Sequence, residues 1–138
     1  MASVLKSDNL AKLLVRLAVG GLMLFHGISK LTHGISFIEG ILAARGWPGF
    51  IAYGVYLGEI VAPILIIVGW KTRIAALVVA IDMIFAIWLA HASNIFMIRE
   101  PGGAYAIEIE AFYLLTSLAL FFMGGGQYSV SRGRTAWD

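Results

Sequence analysis

Four long apolar runs constrain this sequence more than any other feature. They cover residues 10–31, 50–70, 74–96 and 106–123. A helix needs about 20 apolar residues to cross a bilayer. A mean hydropathy of +0.88, with 60% hydrophobic and 13% charged residues, is also typical of an integral membrane protein rather than a soluble domain. We therefore predict an all-α fold, an integral membrane four-helix bundle with one transmembrane helix for each run.

The connections predict one further short helix. Residues 34–45 are too few to cross the membrane, and their apolar positions recur at helical spacing, which indicates an interfacial or re-entrant helix between spans 1 and 2. The second connection, residues 69–73, is a tight turn, and the third, residues 98–105, is a loop rich in proline and glycine. Without an internal repeat, we interpret residues 1–138 as a single transmembrane domain that ends in the tail 124–138.

The distribution of lysine and arginine predicts the orientation. An even number of spans puts both termini on one side, and six basic residues fall on that side: Lys6, Lys12, Lys71, Arg73, Arg132 and Arg134. Three fall on the other side: Lys30, Arg45 and Arg99. By the positive-inside rule we expect a multi-pass protein of the prokaryotic cytoplasmic (inner) membrane, with cytoplasmic N- and C-termini. Because the basic residues are scattered, we expect membrane lipid and no nucleic acid as a partner.

The sequence offers little for cofactor attachment. It has no cysteine, which excludes disulfides, thiolate nucleophiles and thiolate-ligated iron–sulfur clusters. Walker, dinucleotide-binding and HExxH patterns are absent, and its histidines and glutamates lack the spacing of a metal site. We predict no metal, haem or iron–sulfur cluster.

Three basic residues of the first span share one helix face. Arg16, His26 and Lys30 fall within an arc of about 80°, with Arg16 in the cytoplasmic half and the other two in the outer half. Charges at membrane depth are costly and usually face the bundle interior, where they pair. In the second span, Glu59 precedes Pro63 by four residues, so the proline leaves the Glu59 carbonyl without its helical hydrogen bond.

Depth and rotation suggest which groups meet. In the third span, Asp82 and His91 point in nearly opposite directions, and in the fourth, Glu108 and Glu110 are about 200° apart. We predict an outer polar pocket and, nearer the cytoplasm, a structural ion pair between Arg16 and Asp82. The predicted pocket contains His26, Lys30, His91 and Glu108, with Glu59 below them.

Several of these side chains could have an ordinary structural role instead of a functional one. Lys30 could simply extend its amine to the membrane interface, and His91 could lie at the surface. Tyr56 is a candidate for the pocket wall, but aromatic residues near span ends also form interfacial belts.

The order of short motifs resembles the DoxX family of small membrane proteins. The first span carries Phe25-His26-Gly27-Ile28-Ser29-Lys30, the second Leu57-Gly58-Glu59, and the turn Gly69-Trp70-Lys71-Thr72-Arg73. His91-Ala92-Ser93-Asn94, Gly103-Ala104-Tyr105 and Gly124-Gly125-Gly126-Gln127-Tyr128-Ser129 follow in the family's order, although Gly125, Gln127 and Ser131 depart from its terminal pattern. The resemblance implies a four-helix membrane subunit linked to redox enzymes, with a relative in a thiosulfate:quinone oxidoreductase.

Three functions remain open on these grounds. The first is a membrane subunit of a redox system, such as a quinone-linked oxidoreductase, that binds a quinone or similar small redox molecule. There His26, Glu59 and Glu108 would exchange protons as catalytic groups, and Lys30, His91 and Tyr56 would bind the ligand. The second is a transporter or permease for a small acidic or sulfur-containing solute, and the third is an anchoring or assembly subunit. For each we expect a homodimer or a soluble or membrane redox partner.

Overall fold

A computed structural model describes residues 7–138, so the predicted orientation signal at Lys6 lies outside the described residues. That part of the chain forms five helices and one small antiparallel hairpin. The helices are α1 (Asp8–His33), α2 (Ser36–Ala44), α3 (Gly49–Val68), α4 (Thr72–His91) and α5 (Glu108–Met123). The hairpin pairs β1 (Ile98–Arg99) with β2 (Ala104–Tyr105).

The prediction of an all-α membrane bundle with an extra short helix is confirmed. Within residues 7–138, α1, α3 and α4 are long and apolar enough to cross a membrane. The fourth helix is shorter, because α5 has 16 residues and extends about 24 Å. The third predicted span, α4, ends at His91 instead of residue 96. The turn-forming residues Ser93 and Asn94 follow His91, and the Asn94 N–H donates to the His91 carbonyl at 2.8 Å.

Helix α2 is the short helix expected between the first two spans, and it packs over the end of the bundle. Its Leu42 is fully buried with Ala52 and Leu89. The Arg45 guanidinium just beyond α2 donates to the carbonyls of Trp88 and Leu89, at 3.1 and 2.8 Å. Because these carbonyls belong to the last turn of α4, Arg45 satisfies acceptors that the helix itself leaves free.

At the opposite end, the tail folds back over the bundle. The Val130 N–H donates to the Val68 carbonyl at 3.2 Å, and the Gln127 N–H donates to Asn9 Oδ1 at 3.0 Å. The tail therefore lies beside the start of α1 and the end of α3. Both ends of the described chain are at the same end of the bundle, as an even number of crossings requires.

Two glycines let α1 approach α3 closely. A Cβ placed on Gly20 would lie 2.9 Å from the Pro63 carbonyl oxygen, and one on Gly27 would overlap the Glu59 carbonyl. The core beside this contact contains Val19, Met23, Ala62, Ile66, Ala76, Val79 and Leu120. This close contact positions Lys30, one turn beyond Gly27, next to Glu59.

Candidate functional site

A mostly apolar cavity of about 480 Å³ lies under α2, between α3 and α4. Its apolar walls come mainly from α2, the first turns of α3 and the second half of α4. Four ionisable side chains also reach its lining: Lys30, Glu59, Asp82 and Glu110. An apolar cavity with a few convergent polar groups is the usual form of a small-molecule site, so we call it the first pocket.

The local backbone of α3 sets the position of Glu59. Residues Leu57–Val61 form a π-helical turn, and the Ala62 N–H reaches back five residues to the Leu57 carbonyl. Pro63 has no N–H for the Glu59 carbonyl, so the regular hydrogen-bond pattern cannot continue there. The expected disturbance of the helix at Glu59 is therefore a widened turn, a feature often found at functional sites.

Lys30 and Glu59 form an ion pair that joins α1 to α3. The Lys30 Nζ lies 2.7 Å from Glu59 Oε1 and 2.5 Å from Oε2. Glu59 is only 5% exposed, whereas the Lys30 side chain keeps 28% of its surface exposed. The ammonium therefore neutralises a buried carboxylate, while part of the Lys30 side chain stays exposed.

Asp82 belongs to this pocket and not to a pair with Arg16. Its carboxyl group lies against Gly58, where a Cβ would overlap it, and close enough to Lys30 and Glu59 to interact electrostatically with both. Its Oδ2 atom is buried and has no hydrogen-bond partner among residues 7–138. A buried carboxyl oxygen without a partner is costly, so Asp82 places an unsatisfied polar atom beside the first pocket.

Arg16 has a different role from the predicted ion pair. Its guanidinium donates to four backbone carbonyls, those of Ile66 (2.8 Å), Ile67 (2.6 Å), Gly125 (3.0 Å) and Tyr128 (2.6 Å). Ile66 and Ile67 are in the last turn of α3, whose carbonyls have no helical partners. The prediction of a structural role agrees with this arrangement, but the predicted partner was wrong, because the acceptors are carbonyls of α3 and the tail.

The two glutamates of α5 face different sides of the bundle. Glu110 lines the first pocket and pairs with His91, with 3.4 Å between His91 Nε2 and Glu110 Oε1. Glu108 points away from the first pocket and accepts a hydrogen bond from the Tyr105 N–H at 3.3 Å. His91 therefore contacts the pocket through Glu110 and is not part of its lining.

His26 and Glu108 lie together in a separate groove between α1 and α5. The His26 ring is exposed and meets Tyr113 edge-on, with ring centroids 5.8 Å apart. The groove shares no lining residue with the first pocket. The predicted cluster is thus divided into two, with Lys30 and Glu59 on one side and His26 and Glu108 on the other.

Tyr56 does not contribute to the lining of the first pocket. Its hydroxyl donates to the Lys30 carbonyl at 3.2 Å, which ties α3 to the last turns of α1. Tyr56 therefore contacts the backbone of Lys30 and helps to fix its position. Within residues 7–138, no group of three His, Asp or Glu side chains is arranged to hold a metal ion.

Sequence reasoning missed Asp82 and Glu110 as pocket residues, and it missed the wall that α2 supplies. The opposed directions of Glu108 and Glu110 were predictable from their spacing, but which one faces the first pocket was not. The apolar stripe of α2 was visible too, although nothing in its pattern indicated that it would cover α3 and α4.

Comparisons with known proteins agree with this architecture. The DoxX family model matches residues 11–92. A Bacillus subtilis protein named "Putative oxidoreductase CatD" is 31% identical, with 86% of this chain and 83% of the relative aligned. An uncharacterised Haemophilus influenzae protein is also 31% identical, over 81% of both chains. An uncharacterised membrane protein of Mycobacterium tuberculosis is 30% identical, over 86% of this chain and 77% of its own. No solved structure matches significantly.

Proposed function

This chain belongs to the DoxX family, and from that premise we propose that it is a membrane subunit of a redox system that binds a quinone or a similar small redox molecule in the first pocket. The name of the Bacillus subtilis relative supports a link to oxidoreductases. The observation that carries the proposal is the convergence of four ionisable side chains, Lys30, Glu59, Asp82 and Glu110, on a mostly apolar cavity, with one Asp82 oxygen unpaired within residues 7–138.

The cavity suits a flat ring with polar oxygens. Its volume of about 480 Å³ is within the range of small-molecule sites, and its walls are almost entirely apolar. Phe37 and Phe85 offer aromatic surface from α2 and α4. Such walls would hold the ring and exclude water, which strengthens the interactions of the few charged groups.

The charged groups of the pocket would orient the ligand and exchange protons with it. A bound quinone would supply the two-electron chemistry and would take up two protons on reduction. The Lys30 ammonium has three N–H donors and would donate one of them to a ligand oxygen while it remains paired with Glu59. Asp82 lines the cavity, and its unpaired carboxyl group would hold or release a proton close to the ligand. Since the chain has no cysteine, any thiol chemistry must occur on a redox partner.

His26 and Glu108 have no part in this proton exchange, because they lie in the other groove. His91 would act indirectly by holding Glu110 at the pocket wall. We further propose the cytoplasmic membrane as the location, with a homodimer or redox partner completing the assembly. A small bundle with a cavity under α2 has a limited core, which supports association with another subunit.

The proposal is tested by identifying small molecules that copurify with the protein. Solvent extracts of wild-type protein, Glu59→Gln and Asp82→Asn would be analysed by mass spectrometry. We expect a quinone in the wild type at close to one per chain, and at least about tenfold less in each variant, since a lost charged hydrogen bond is worth about that factor.

Glu100→Gln is the matched control, because this substitution removes the same charge at an exposed position of the hairpin, outside the pocket. It should retain the quinone. A folded wild-type protein that carries no quinone, and that takes up none when one is added, would rule out the proposed function.

A further inference from the structure

The groove between α1 and α5 has the form of a site for one amphiphilic molecule. It encloses about 640 Å³ and is lined along α1 from Leu14 to His26. The twelve helical steps from Leu14 to His26 correspond to about 18 Å of helix, similar to the depth of one bilayer leaflet, which is about 15 Å. The groove is therefore long and narrow and lies parallel to the helices.

Its polar groups are confined to one end. His26 and Glu108 are there, whereas the remaining length along α1 is lined by Leu14, Val15, Ala18 and Leu22. Two further lining residues carry hydroxyls. Tyr113 packs against His26 at the same end, and the Thr116 hydroxyl farther along already donates to the Phe112 carbonyl of its own helix. Free hydrogen-bonding capacity is thus concentrated at the end that holds His26, Glu108 and Tyr113.

These two side chains retain capacity to bind a ligand. The Tyr113 ring packs nearly perpendicular to the His26 ring, and His26 remains exposed where it lines the groove. Glu108 accepts from the Tyr105 N–H through one oxygen, Oε2. Polar side chains at membrane depth are stabilised when they find partners. A ligand that fits both would bring an acceptor to the imidazole N–H and a donor to the carboxylate.

We propose that this groove binds a single phospholipid whose headgroup carries a phosphate and a primary ammonium. The phosphate accepts a hydrogen bond from His26, and the ammonium donates to Glu108. One acyl chain follows the apolar wall along α1 toward Leu14. Neither a lipid with a glycerol headgroup nor a lipid with a quaternary amine offers the same pair of groups, since the first has no ammonium and the second has no N–H.

Native mass spectrometry of delipidated protein tests this assignment. The protein would be titrated with phosphatidylethanolamine, phosphatidylcholine or phosphatidylglycerol of identical acyl chains. We expect one phosphatidylethanolamine per chain, bound about tenfold more tightly than phosphatidylcholine because of the charge-assisted hydrogen bond to Glu108.

The variants separate the two contacts. Glu108→Gln should abolish the preference for phosphatidylethanolamine over phosphatidylcholine, and His26→Gln should weaken both lipids to a similar degree. His33→Gln is the control, because His33 is on the same helix but hydrogen-bonds Ser29 and Thr32 outside the groove. Each variant also retains the quinone of the first pocket if that separate proposal holds, so the two proposals fail independently.

Three results would overturn the assignment. The first is equal binding of all three lipids by the wild type, which would indicate an ordinary lipid-facing surface. The second is a lipid-free dimer that Glu108→Gln dissociates, which would make a second copy the occupant. The third is a quinone that is lost on His26→Gln while the lipids are unaffected.

Discussion

At the scale of single residues, the buried charges of this protein fall into two kinds. Arg16 is 1% exposed, and its guanidinium donates to four backbone carbonyls. It lines neither the first pocket nor the groove between α1 and α5. Lys30 and Glu59 neutralise each other, yet both also line the first pocket. A structural charge and a functional charge can therefore be distinguished by whether the group retains contact with a cavity after its partners are satisfied.

The Lys30–Glu59 pair provides a test that separates anchoring from ligand binding. Lys30→Met leaves Glu59 buried without a cation, and we expect a loss of about 2 kcal/mol in the free energy of unfolding. That is less than for a fully buried pair, because Lys30 is partly exposed to solvent screening. The double variant Lys30→Met/Glu59→Met removes both charges and should recover most of this loss. Thermal unfolding in detergent measures both effects.

Quinone content of the same samples then identifies the function of the pair. If the pocket binds a quinone, the double variant is stable but carries little of it. A stable double variant with full quinone content would instead favour the anchoring alternative. Losses that simply add in the double variant would contradict the ion pair itself.

At the scale of helices, the sequence predicted the helices themselves and the relative directions of several side chains. It did not predict which neighbouring helix each side chain would contact. Helical periodicity correctly separated Glu108 from Glu110 and directed Asp82 and His91 apart. It could not tell which neighbour each face would meet, because that depends on how α1 and α5 rotate against α3 and α4. The error at Arg16 has this cause, since depth matching favoured Asp82 and the folded tail supplied acceptors that no local pattern revealed.

The close contact between α1 and α3 requires glycine at position 27, because any larger side chain would overlap α3. In Gly27→Ala the new methyl group would overlap the Glu59 carbonyl and force the helices apart. We expect a loss of about 1 to 3 kcal/mol, the usual cost of overpacking, with a displaced Lys30. Thermal unfolding of purified protein measures the loss.

Gly21→Ala is the matched control on the same helix, because no atom lies within 4 Å of its new methyl group. It should leave stability unchanged or raise it slightly, since alanine favours helix over glycine. Equal unfolding temperatures for the two variants would show that α1 and α3 do not approach as closely as the structure indicates.

The tail adds a pH-dependent contribution at its Asp138 carboxylate. Burial raises the pKa of Asp138, but hydrogen bonds from Thr135, Ser131 and the Lys71 N–H outweigh it and hold this pKa below its ordinary value. A lowered pKa in the folded state stabilises the fold above the ordinary pKa of about 3.9, and this stabilisation disappears as the pH falls through the folded-state value.

Asp138→Asn should therefore lower the unfolding temperature at pH 7 and have progressively less effect as the pH falls below about 4. Unfolding scans of both proteins across that range measure the difference. A difference that grows on acidification would reverse the sign and contradict the hydrogen-bonded carboxylate.

At the scale of the whole molecule, the two ends of the bundle differ in construction. One end holds the start of α1, the turn at Lys71 and the tail, joined by Arg16 and Arg73 through backbone carbonyls. The other end holds α2 and the hairpin, and the first pocket opens beneath α2. Which end faces the cytoplasm therefore decides from which side a redox partner could reach the pocket.

The orientation can be measured directly because the chain has no cysteine. Gly102→Cys in the hairpin and Ala136→Cys in the tail each place one thiol at an exposed position. The positive-inside rule predicts a cytoplasmic tail, so a membrane-impermeant maleimide added to intact spheroplasts should label Gly102→Cys. It should label Ala136→Cys only after the membrane is permeabilised, and the cysteine-free parent not at all. The reverse pattern would invert the topology and expose the pocket end to cytoplasmic partners, whereas labelling of both before permeabilisation would contradict an even number of crossings.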